Sequence, residues 1–162
     1  MEKCFGCSRF IYNAALETKK VHYASTGKSL SKSAISKQYR ELKNTEEFEW
    51  LKEVPDRVME YAIGNLETAY KNFFKRGGFP KYKSKHRGDK TCQADRCKVN
   101  FDKGQFWFHK IGWIDAVLHR KFEGKMKTCT IRQKPSGRYY VSILVETSDS
   151  IPVKQPPTSR KT

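Results

Sequence analysis

The sequence predicts an α+β chain, with about four helices packed against a small antiparallel barrel or sandwich. Three observations carry this. Residues 8–25 contain no Pro or Gly and repeat apolar residues at helical spacing. From Val99 onward the apolar period changes to two. Two turn signals, Asp102-Lys103-Gly104 and Pro135-Ser136-Gly137, separate the alternating runs.

The first helix is expected over Ser8–Ser25, with Ile11, Ala15, Thr18 and His22 on one face and Gly27 as its stop. Ser31 is a natural N-cap for a second helix carrying Ile35, Tyr39 and Leu42. A short third helix follows Asn44, which would cap it while Glu47 reaches back, and it holds Phe48, Trp50 and Leu51. Pro55 suits the first turn of the fourth helix. There Val58, Ala62, Leu66, Ala69 and Phe73 form one stripe, which Gly77-Gly78 ends.

In the second half, Val99–Phe101 and Gln105–Phe108 form one expected hairpin, and residues 111–118 alternate through Ile114, Ala116 and Leu118. Lys125–Gln133 and Arg138–Glu146 form the other hairpin. The chain then divides into a helical part (1–76), a basic linker (77–98), a β part (99–147) and a disordered tail or severed linker (148–162).

Lys plus Arg number 33 against 17 Asp plus Glu, an excess of sixteen positive charges that speaks to partners rather than fold. The favoured polyanion is nucleic acid. No apolar run approaches the ~20 residues of a membrane span. Met1-Glu2-Lys3-Cys4 lacks a secretory apolar core. An odd count of five cysteines points to reduced thiols and a cytoplasmic location. Cys4-x-x-Cys7 and Cys92-x4-Cys97 have spacings a zinc site can use, but the first pair falls at the frayed start of a helix; ordinary thiols are expected, with no metal and no cofactor.

No catalytic constellation emerges. His22, His86, His109 and His119 are scattered, and Asp102, Asp115, Glu123 and Glu146 stand apart. Two-metal phosphodiester cleavage needs clustered carboxylates. The strongest signal is residues 71–90, which hold Lys71, Lys75, Arg76, Lys81, Lys83, Lys85, Arg87 and Lys90 against one acid, Asp89. Phe79 and Tyr82 are interleaved, so bases can stack while phosphates are neutralised.

Several stretches taken in order resemble one family. They are Gly6-Cys7-Ser8-Arg9-Phe10-Ile11-Tyr12-Asn13, Trp50-Leu51-Lys52-Glu53-Val54-Pro55, Asn65 to Phe74, Gly78-Phe79-Pro80-Lys81-Tyr82-Lys83-Ser84-Lys85, Ile111-Gly112-Trp113 and Gly137 to Glu146. The pattern is similar to the N-terminal part of the TnpB (OrfB) proteins of insertion sequences, kin to the type V CRISPR effectors.

The resemblance implies a wedge-type β-barrel interrupted by a helical recognition insert, gripping a guide RNA and a target-adjacent DNA duplex. It implies that the barrel lacks its N-terminal strand, leaving an open sheet edge prone to self-association. It also implies that the RuvC-like acids and the zinc-ribbon lie outside this chain, so that the chain binds without cleaving. Positions matching the motif-reading helices are Lys32, Ser36, Asp56, Arg57 and Glu60, of which Asp56 and Glu60 are unexpected beside phosphates. Three alternatives stay open: a DNA-only helix-turn-helix regulator, a transposase with ungrouped acids, and a basic structural RNA-binding protein.

Overall fold

A computed structural model describes residues 1–147; the expected tail at 148–162 lies outside the described residues. The chain is α+β. Helix α1 spans Glu2–Thr26, α2 Lys32–Leu42, a 3-10 helix Glu46–Glu53 and α3 Asp56–Arg76. Six strands follow: β1 Lys90–Ala94, β2 Cys97–Asn100, β3 Gln105–Phe108, β4 Gly112–Asp115, β5 Lys125–Gln133 and β6 Tyr139–Glu146.

Helix α1 begins six residues earlier than the sequence predicts. Cys4, Phe5, Cys7 and Ser8 extend the apolar stripe of Ile11, Tyr12, Ala15 and Leu16, and all are buried. Cys4 and Cys7 are therefore core residues rather than part of a frayed end. The burial of their thiols supplies the free energy that keeps the first turn helical. Gly27, at φ 67, takes the left-handed conformation that closes the helix, and its N–H donates to the Tyr23 carbonyl at 2.8 Å.

Ser31 caps α2 as expected, accepting from Ala34 N–H at 3.2 Å. The expected cap at Asn44 does not form. Thr45 occupies the N-cap position without a side-chain capping bond, its hydroxyl donating instead to the Leu42 carbonyl at 2.7 Å, and the segment is a 3-10 helix kinked at Phe48. Its anchor is Leu51, fully buried, rather than any cap. Along α3, Val58, Ala62 and Leu66 are fully buried, joined by Met59 and Ile63. Truncating Leu66 to Ala would cost about 2–5 kcal/mol. Lys19 of α1 is buried, paired with Glu67 of α3 at 2.6 Å, with its ammonium 5.0 Å from the Tyr70 ring centroid.

The β half forms two three-stranded antiparallel sheets, ordered β1-β5-β6 and β2-β3-β4. It is not a closed barrel, which corrects that expectation. Among the described residues, β1, β6, β2 and β4 each keep an unpaired side within their sheets. A barrel requires its end strands to pair, and here they do not. Strand β1 and the start of β2 lie inside residues 77–98, where composition reads as linker, because Cys92, Ala94 and Cys97 are buried. β1 packs on α3, where the Asn65 amide donates to Gln93 Oε1 at 2.9 Å.

The sheet register follows the alternation: Cys129 pairs with Ala94 on one side and Ile143 on the other. Gly124 enters β5 at φ 120, where a Cβ would stand 2.3 Å from the Glu146 carbonyl oxygen. Only glycine fits there. Among the described residues, no helix is long and apolar enough to cross a membrane.

Candidate nucleic-acid interface

The basic segment is a strap laid back along α1. Beyond Gly77, Phe79 packs edge-on against Tyr70 and Phe73, at 5.7 and 5.4 Å between ring centroids. Pro80 is buried. The Tyr82 hydroxyl donates to Glu17 and accepts from the Lys20 ammonium at 3.0 Å. That donated bond holds the Glu17 carboxyl below its usual range. Asn13 then grips the Lys83 backbone, donating to its carbonyl at 2.9 Å and accepting from its N–H at 2.7 Å. Lys90 reaches Glu2 at 2.8 Å. Its contacts on α1 thus step from residues 17–20 through 13 to 2.

These anchors sort the predicted cations. Lys71, Lys75, Arg76, Lys81, Lys85 and Arg87 are exposed and form no ion pair among the described residues. Lys83 differs. Its ammonium lies 4.3 Å from the Tyr12 ring centroid, and burial lowers its pKa. Lys90 is neutralised by Glu2. Phe79 and Tyr82 remain 47% and 50% exposed, so both keep ring area for a stacked base.

The second set of predicted residues gathers where α2 crosses α3. Ser36 is buried and donates to Glu60 Oε2 at 3.2 Å. Arg40 reaches Glu60 Oε1 at 2.8 Å. Asp56 is paired with Lys43, whose hydrogen bond lowers the Asp56 pKa. Arg57 contacts Asp95 at 3.3 Å. The Lys32 ammonium lies 3.6 Å from where a Cβ on Gly64 would stand. Asp56 and Glu60 therefore act as counter-ions that orient Arg40 and Lys43, which accounts for acids on a basic face. They border a cavity of about 340 Å³ that Arg40, Arg57, Arg96, His109 and Lys110 also line. Arg96, His109 and Lys110 come from the β half. No local pattern marks them, because they meet α3 only in the folded chain.

The cysteines are all buried and unbridged. Burial pushes Cys7 up to about 12 and raises Cys92 as well. Cys97 and Cys129 interact with one another, which lowers Cys97 and, together with burial, raises Cys129. Among the described residues, no three His, Cys, Asp or Glu side chains converge in a way that could hold a metal.

Residues 1–28, which form α1 and its closing turn, match a helix-turn-helix domain family, HTH_OrfB_IS605. The chain is 30% identical over 154 residues to the protein of Escherichia coli K12 named as the RNA-guided DNA endonuclease InsQ. That match takes in 94% of this chain and 38% of InsQ. A Streptomyces pristinaespiralis protein, also named as an RNA-guided DNA endonuclease, is 32% identical over 90% of this chain and 37% of its own length. The chain belongs to the OrfB (TnpB) family. It corresponds to the N-terminal part of these OrfB relatives and spans less than two-fifths of their length. The virulence protein VsdF of Salmonella dublin is 33% identical over 51% of this chain and 77% of VsdF. The family domain ends at residue 28, so neither the strap nor the α2–α3 crossing falls inside it.

Proposed function

We propose that this chain binds a guide RNA and a target-adjacent DNA duplex without cleaving either. One observation carries the reading. Six exposed cations without an ion-pair partner among the described residues, Lys71, Lys75 and Arg76 at the end of α3 and Lys81, Lys85 and Arg87 on the anchored strap, sit beside exposed Phe79 and Tyr82. Such a surface neutralises phosphates and stacks bases in a single strand. Lys83 and Lys90 belong to the strap but work through Tyr12 and Glu2. The names of InsQ and its Streptomyces relative support RNA and DNA as the partners.

The duplex would meet the α2–α3 crossing. There Arg57 and Lys32 contact phosphates or base edges, while Ser36, Asp56 and Glu60 hold neighbouring cations in place. In this division the α2–α3 crossing recognises DNA, while residues 71–90, with the β part beyond them, hold RNA. Binding without cleavage is supported by carboxylates that stand apart, with Asp102 in a turn and Asp115 ending β4.

A competition assay tests the reading. Structured RNA from the end of the parent element should leave a labelled duplex carrying the flanking motif bound and form a ternary complex with it, because the two occupy separate surfaces. Displacement by any RNA of equal length would overturn the guide reading. Binding of duplex alone, indifferent to RNA, would favour a DNA-only helix-turn-helix protein. Cleavage that disappears in Asp115→Ala or Glu123→Ala would overturn the binding-only reading.

A further inference from the structure

Between the strap and α1 lies a cavity of about 420 Å³, lined by Phe5, Arg9, Tyr82, Lys85 and Arg87 among others. Chain geometry produces it. Lys83 is tied at Asn13 and Lys90 at Glu2. Along α1 those anchors are separated by about 16 Å. The strap between them can reach about 24 Å when extended. The excess bows outward through bends at residues 85–88, and Gly88 adopts φ 75.

Arg9 faces this cavity from α1. It is half-buried, and among the described residues its guanidinium has no ion-pair partner. A partly desolvated guanidinium without a partner calls for an anion. The nearby carboxylate does not serve: Asp89 is already shared by Lys134 at 3.2 Å and Arg132 at 3.4 Å. Across the opening, Lys85 and Arg87 are exposed and form no ion pair among the described residues, and the wall carries the aromatic rings of Phe5 and Tyr82. The volume is near the low end of small-ligand sites, roughly 300–1,000 Å³. It suits a single nucleotide and is too small for a duplex.

We propose that this cavity seats one nucleotide of a bound single strand. Arg9, with Lys85 and Arg87, takes its phosphate, and the Tyr82 ring takes its base. This rests on the nucleic-acid reading above and adds Arg9, which lies outside the basic run, as a binding residue.

The test is fluorescence anisotropy of the full chain with a fluorescein-labelled uridine hexamer. Arg9→Ala should weaken binding about tenfold, and Arg9→Lys should restore part of it. Uridine monophosphate should compete better than inorganic phosphate at equal concentration. A deoxythymidine hexamer run in parallel tells which kind of strand supplies the nucleotide. Unchanged affinity in Arg9→Ala, with an unchanged thermal melt, overturns the proposal. Competition by inorganic phosphate equal to that of uridine monophosphate overturns it too. If Arg9→Ala unfolds, Arg87→Ala tests the same site from the strap and is held to the same tenfold loss. A Lys71→Ala, Lys75→Ala, Lys81→Ala triple variant separates the two readings. If it loses affinity and Arg9→Ala does not, the strap binds and the cavity is not a site. If neither loses affinity, both readings fall.

Discussion

Asn13 holds Lys83 by both faces of its backbone, across 70 residues of sequence: the amide donates to the Lys83 carbonyl at 2.9 Å, and Lys83 N–H donates back to Asn13 Oδ1 at 2.7 Å. This pair turns a charged run into a strap with a defined path. It also turns the Lys83 side chain toward Tyr12 and away from solvent phosphates.

Removing the clamp should free the strap before it unfolds the domain. Asn13→Ala leaves a part-buried N–H and C=O without partners, at about 1–3 kcal/mol. Limited trypsin digestion should then cut at Lys81, Lys85 and Arg87 much faster, while the α1–α3 core survives. Equal cleavage rates in the two proteins would mean that other contacts hold the strap.

Salt dependence should separate free cations from tied ones. A Lys71→Ala, Lys75→Ala, Arg76→Ala, Lys81→Ala variant should lower the slope of log affinity against log salt by about 0.7 per lost contact on single-stranded RNA, close to 3 in all. Lys83→Ala should leave the slope unchanged, because its ammonium is occupied by Tyr12. A fall of about 0.7 for Lys83→Ala would show that this lysine swings out to phosphate.

Stability should fall in alkali. The pKa of Cys7 rises from the ordinary 9.0 to about 12, by burial first and by neighbouring Cys4 second. A group raised on folding contributes stability that is complete below its unfolded value and is lost as pH climbs through the folded one. The window is therefore pH 9 to 12, and at pH 10.5 Cys7 alone accounts for about 2 kcal/mol. Denaturant midpoints measured at pH 8 and 10.5 should converge in Cys7→Ala relative to the parent. An identical drop in both proteins would assign the alkaline loss to other groups, such as buried Cys92 or Cys129.

The free side of β6 is an adhesive edge, with Leu144 beside it 61% exposed and Tyr140 49% exposed. Sedimentation velocity should show concentration-dependent dimers, and Leu144→Lys should shift them to monomer by placing charge on that strand. Monomer at all concentrations in the parent would remove self-association from the picture.

Much of the architecture is legible in local sequence because it rests on local physics. Ser31 caps α2, the alternating runs 125–133 and 139–146 become β5 and β6, and Gly27 and Gly77 stop their helices where left-handed φ is needed. The excess of basic residues likewise follows from composition alone. Tertiary structure decided the rest. It opened the expected barrel into two sheets, drew Cys4 and Cys7 into the core, and assigned each lysine a fate. Whether Lys83 faces Tyr12, whether Glu60 holds Arg40, and whether Arg9 opens onto a cavity depends on partners 20 to 80 residues away. A side chain's charge is written in its own residue. The free energy of that charge depends on what the fold places beside it.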